Sequence, residues 1–138
     1  MALPLACSAQ QAQRKHFESK LAVQRSLPFS SAVLVGDTLY IAGTTGVSPE
    51  SSKKPLTAEE EARSVMDQIK QVVEQSGMNM DDIVSVQVFC PDLANYDAFN
   101  RVYSTYFHGK YPARAFVGVS KLLFGARYEV MGIAVKPR

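Results

Sequence analysis

Tyr128-Glu129-Val130-Met131-Gly132-Ile133-Ala134-Val135 reads as the body of a β-strand over 127–136, being rich in β-branched, aromatic and long apolar residues. Its apolar side chains fall on both parities, Tyr128, Val130 and Ala134 against Met131, Ile133 and Val135. A sheet containing this strand must therefore be covered on both faces. Another strand, over 113–120, is entered through Tyr111-Pro112-Ala113-Arg114. Each strand carries one embedded charge, Glu129 in the first and Arg114 in the second. Such charges are costly to desolvate unless each finds a partner: the other charge, a backbone group or a ligand. These two positions are the first place to look for chemistry.

Upstream, the apolar runs 32–35 and 38–42 flank Gly36-Asp37, a turn pair that predicts a β-hairpin. Gly43 and Gly46 bracket Thr44-Thr45 at its exit, where a bulge and amide N–H groups facing a ligand are expected. Residues 48–56 read as an exposed loop. Thr57 and Glu60 have capping-box spacing, and Ala62, Val65, Met66, Ile69, Val72 and Val73 recur at helical steps until Gly77. Residues 82–90 alternate apolar and polar until Pro91, the pattern of a half-buried strand. Phe99, Val102, Tyr103, Tyr106 and Phe107 mark a second amphipathic helix over 95–108, stopped by Gly109.

The order hairpin, helix, strand, helix, two strands predicts an α+β fold, a mixed sheet with two helices on one face. The last two strands are expected to pair as a hairpin through the loop around Leu122 and Leu123, which sets Arg114 and Glu129 near one another on the same face. Two helices cover only one side of such a sheet. A second copy of the sheet is the simplest cover for the other, so a homo-oligomer is expected.

A chain of 138 residues fits one compact domain, taken as 15–138 behind a flexible leader over 1–14. The formal net charge is +2, with basic residues spread along the chain, so no nucleic-acid partner is expected. Cys7 and Cys90 lie outside any C-x-x-C spacing, and His16 and His108 lack a companion at i+3 or i+4. Free thiols and no metal are the expectation. The apolar run from Ala2 to Cys7 is too short for a membrane span. It fits a cytoplasmic protein, or an exported one if residues 1–13 are the remnant of a signal segment.

Were Arg114 and Glu129 adjacent, the plain alternative to a ligand site would be a buried ion pair that satisfies itself. Three features favour a site. Phe116 and Gly118 share the face of Arg114 and outline a small pocket. Pro112 fixes the chain just before it. No Ser/His/Asp or Cys/His arrangement and no glycine-rich phosphate loop competes elsewhere.

Taken in order, Pro28-Phe29, Ile41-Ala42-Gly43, Val86-Gln87-Val88-Phe89 with Asp92-Leu93, Tyr111-Pro112-Ala113-Arg114, and Tyr128-Glu129-Val130 with Ile133-Ala134-Val135 carry a family resemblance. From about residue 27 to the C-terminus the chain resembles the Rid family, also called YjgF/YER057c/UK114 and labelled endoribonuclease L-PSP. The resemblance implies a chorismate-mutase-like fold and a homotrimer with ligand clefts at the subunit interfaces. It also implies hydrolysis of reactive 2-imino acids and their enamine precursors to 2-keto acids and ammonia, with no cofactor. By match to the family motif Arg114 would hold the substrate carboxylate and Glu129 would position the attacking water. Phe29, Ala42, Gly43 and Phe116 would line the pocket, with backbone groups of Gly43 and Phe116 adding polar contacts.

This chain departs from the best-known deaminases at three of those positions. They carry tyrosine where it has Phe29, serine where it has Ala42, and a small Cys or Thr where it has Phe116. Two hydroxyl donors and some space are thereby lost. Two further readings stay beside the deaminase: a non-catalytic trimeric protein that captures a small carboxylate metabolite, and a ribonuclease, as the older family label says. The third gets little help from a chain with no basic groove and no paired histidines.

Overall fold

The computed structural model describes residues 12–49 and 55–137. Cys7, most of the proposed leader and the middle of the 48–56 loop lie outside the described residues. Six strands and three helices run in the order β1 (Arg14–Phe17), α1 (Lys20–Gln24), β2 (Ala32–Val35), β3 (Thr38–Thr45), α2 (Ala58–Gln75), β4 (Ile83–Cys90), α3 (Tyr96–Tyr103), β5 (Ala113–Gly118) and β6 (Glu129–Val135).

The hairpin forms as its turn chemistry demands, with Gly36 at φ +59° between β2 and β3. The N-terminus of α2 carries a complete capping box. The Thr57 N–H donates to Glu60 Oε2 at 2.8 Å and the Glu60 N–H to Thr57 Oγ1 at 3.2 Å. From there α2 buries the stripe Ala62, Val65, Met66, Ile69, Val72 and Val73, and Gly77 closes it at φ +82°. Helix α3 buries Ala98, Phe99, Val102 and Tyr103.

All six strands form one sheet in the order β1-β2-β3-β6-β4-β5. The expected hairpin between the last two strands is not there. Strand β5 pairs in parallel with β4, whereas β6 lies between β3 and β4, antiparallel to both. Two physical reasons decide this. The stretch from β4 through α3 to β5 is a helical crossover, which delivers a parallel strand beside its predecessor. Residues 119–128 are too long for a tight turn, and they let the chain step over β4 to place β6 in the middle.

Two elements left no pattern to read. Strand β1 has a single buried residue, Phe17, and joins the edge of the sheet by backbone pairing with β2. Helix α1 is a single short segment capped by Ser19, whose hydroxyl accepts from the Ala22 N–H at 3.1 Å.

Both α2 and α3 cover the face that carries Leu39, Ile41, Val86, Val88, Val130 and Ala134, all buried. On the reverse face, Tyr40, Ile133 and Ser85 stand side by side in register, as do Gln87 with Met131 and Phe89 with Glu129. Tyr40, Val117, Met131 and Val135 remain exposed there. The described residues do not cover that apolar surface.

One buried charge is structural. Glu61 is 1% exposed and accepts from the Arg127 backbone N–H at 2.6 Å and from its guanidinium at 2.9 Å. This pair ties the segment leading into β6 to α2. Gly46 passes directly over the Glu61 backbone, with no room for a Cβ.

Candidate active site

Arg114 enters from β5 in register with the buried Val86, so its side chain points to the helix-covered face. Its guanidinium carbon lies 4.6 Å from the centroid of the Tyr103 ring, 5.6 Å from Phe116, 5.8 Å from Tyr96 and 5.9 Å from Phe99. Four rings thus hold a cation by their quadrupoles without cancelling its charge. One guanidinium nitrogen, Nη2, donates to Asn100 Oδ1 at 2.8 Å. Among the described residues Arg114 has no carboxylate partner, and the planar fork keeps donors for one.

Phe116 packs edge-on against Tyr96, with centroids 4.9 Å apart, and against Phe99 at 5.6 Å. It forms one wall of this cage. The space expected at Gly118 is bounded by the Leu93 side chain, which a Cβ there would meet at an ordinary contact distance of 3.6 Å. Burial pushes the Tyr103 phenol up to about 12, despite the opposing pull of the Arg114 cation. Its buried hydroxyl has no hydrogen-bond partner among the described residues.

Glu129 belongs to the other face. It pairs with Phe89 on β4 and Thr45 on β3, one residue out of phase with the buried Val130. The sheet therefore separates it from Arg114 within one chain, and the expected juxtaposition across a hairpin does not occur. Nor do the two form a self-satisfied ion pair. Among the described residues Glu129 has no cationic partner, and Arg127 is committed to Glu61.

A register shift between Ile41 and Thr44 sets Ala42 and Gly43 against Met131 alone, the bulge expected at the hairpin exit. The Glu129 carboxylate lies directly on Gly43, in the position a Cβ would occupy. Glycine is what permits that approach. The Ala42 N–H, by contrast, is committed to the Ser31 carbonyl at 3.0 Å. Phe29, Ala42, Gly43 and Glu129 line one open cleft of about 780 Å³, shared with α1, the flank of α2, Leu123 and Phe124.

The six residues singled out from the sequence thus fall into two groups, Arg114 with Phe116 and Glu129 with Phe29, Ala42 and Gly43. Sequence reasoning missed Asn100, Tyr96 and the Tyr103 face. A signal was available: positions 96, 99, 100 and 103 share one helical stripe, and an amide interrupting three aromatics on that stripe needs a polar partner.

The family model described as endoribonuclease L-PSP matches residues 19–136. A RutC family protein of Saccharolobus solfataricus is 39% identical over 79% of this chain and 87% of its own length. The 2-iminobutanoate/2-iminopropanoate deaminase of Dermatophagoides farinae is 34% identical over 88% of this chain and 96% of its own. The crystal structure of a Rid-family protein of unknown function from Yersinia pestis superposes with a TM-score of 0.79 at 31% identity, covering 90% of this chain and all of that one (100%).

Proposed function

The chain belongs to the endoribonuclease L-PSP family, the Rid or YjgF/YER057c/UK114 family, and from that premise we propose that it is a 2-imino acid deaminase working as a homotrimer. The observation that carries this reading is a guanidinium held in an aromatic cage without a carboxylate partner among the described residues. Its natural ligand is an acid.

The uncovered sheet face supplies the reason for assembly, since three copies that pack those faces around a common axis bury it, in the chorismate-mutase-like manner. Assembly also supplies the missing juxtaposition. The Glu129 cleft of one protomer is completed by the partner's Arg114, so each site lies between two chains.

In that site Arg114 binds the substrate carboxylate, and Glu129 takes a proton from water as its oxygen bonds to the imine carbon. The C=N π pair moves to nitrogen, giving a neutral carbinolamine from the protonated imine. The proton held by Glu129 then passes to that nitrogen. The C–N bond breaks and ammonia leaves as the hydroxyl gives its proton to Glu129 and becomes the keto oxygen, and that proton departs with the ammonia as ammonium. A protonated imine is already electrophilic, so a held carboxylate and an oriented water suffice.

A second reading, capture of a carboxylate metabolite without turnover, draws on the apolar Phe29 and Ala42 beside Glu129, which leave few side-chain donors to steer a water. One assay separates the two. An amino-acid oxidase generates imino acids in situ, and keto-acid release is followed with and without the protein and its Arg114→Ala variant. Acceleration lost in the variant supports the deaminase. Its absence, with calorimetric binding of a keto acid that depends on Arg114, supports capture.

A further inference from the structure

The cleft that holds Glu129 is rimmed by large apolar side chains turned to solvent. Leu123 is 71% exposed, Phe124 56%, Phe29 53% and Leu27 38%, and all four line the same space. Single exposed apolar residues are ordinary, but four around one opening are not.

Phe124 carries a further mark. It sits at φ +60°, ψ +19°, in the left-handed region that a bulky residue with a Cβ rarely occupies. A small or polar residue would take that turn more easily. Such an outlier beside a ligand cleft points to a use for the ring rather than for the turn. The same cleft is also lined by the polar Gln68, Gln71 and Gln75 of α2.

The second half of the site repeats the pattern. Tyr96, one ring of the cage around Arg114, and Leu93, which borders Gly118 on the strand of Arg114, are both exposed. Both ionic groups are therefore flanked by apolar surface.

We infer that the substrate side chain is large and apolar, aromatic or branched aliphatic, and that it lies along Leu27, Phe29, Leu123 and Phe124. This rests on the deaminase reading above and narrows its substrate class. With the carboxylate on Arg114 and the imine carbon one bond away, beside the water on Glu129, the remaining substituent follows the apolar wall on the Glu129 side. A methyl group buries little area against such a wall. A phenyl or isobutyl group exchanges water for contact with that wall, and hydrophobic pockets discriminate by about tenfold or more per missing group of this size.

The test compares imino acids generated from phenylalanine, leucine and alanine at equal oxidase flux. The expected kcat/KM for the first two exceeds that for the third by about tenfold or more. Phe124→Asn, which suits the left-handed turn but removes the ring, lowers that ratio about fivefold, and Leu123→Ala lowers it in the same direction. Equal or reversed preference overturns the inference. So does a Phe124→Asn variant whose ratio is intact and whose sedimentation shows disturbed assembly, since the rim then serves a second copy. Calorimetry with phenylpyruvate and pyruvate reads the same preference without turnover. A protein that deaminates nothing yet binds phenylpyruvate about tenfold more tightly loses the reaction and keeps the side-chain preference, whereas equal binding removes the preference alone.

Discussion

Arg114 and Glu129 stand on opposite faces of the same sheet, the first in register with the buried Val86 and the second one step out of phase with the buried Val130. No rotamer brings them together within one protomer. A site using both must be assembled from two chains.

Complementation follows from that separation. Arg114→Ala and Glu129→Gln are each expected to lose activity, but unfolding and refolding the two together restores about a quarter of wild-type sites by random mixing. Activity per milligram before and after co-refolding measures it. A site contained in one chain stays dead in every mixture.

Gly43→Ala and Gly46→Ala separate function from stability. The Cβ added at position 43 meets only the end of the Glu129 side chain, which swings aside at small cost. The expected result is a Tm within about 2 °C of wild type and a kcat/KM lower by about 100-fold, the usual penalty for a displaced catalytic group. At position 46 the added atom meets the Glu61 backbone, so a loss of about 1–3 kcal/mol is expected. Thermal denaturation and the imine assay on both variants check the contrast.

Asn100→Asp offers Arg114 a carboxylate of its own in place of the amide now 2.8 Å away. An internal acid then competes with the substrate for the guanidinium, and KM is expected to rise about tenfold or more. Asn100→Ala removes only the hydrogen bond and has a smaller effect, a few-fold. The order of the two KM values is the readout.

Tyr103→Phe removes a buried hydroxyl that lacks a partner among the described residues, so it is expected to be neutral or to stabilise by about 1 kcal/mol. The pH dependence has a definite sign. Burial raises the folded phenol to about 12, so the folded state binds this proton more tightly than the unfolded chain, whose tyrosine titrates near 10. The stability it contributes is complete below about pH 10 and is lost as pH rises towards 12. Urea denaturation between pH 8 and 11 is expected to show a fall that the variant reduces.

Much of this was legible in the chain because local chemistry fixed it. The turn at Gly36-Asp37, the capping box at Thr57 and the stripes of α2 and α3 each answer to a periodicity or a cap within a few residues. What was not legible is what the sheet decides globally. The apolar pattern of β6 required two covered faces without naming its neighbours, and only the crossover through α3 shows that β5 lies beside β4. The wrong pairing placed Glu129 on the face of Arg114. Strand β1, held by backbone bonds at an edge, carries no apolar alternation to detect.

The last of the described strands is also the one in the middle. As the polypeptide leaves the ribosome, β2 and β3 on one side and β4 with β5 on the other have no common neighbour until residues 129–135 emerge. From the completion of β4 at Cys90 until then the nascent chain carries two open strand edges, an invitation to mispairing that contacts closer in sequence would avoid. Closure arrives in a single late event, when one segment of seven residues zips both halves at once.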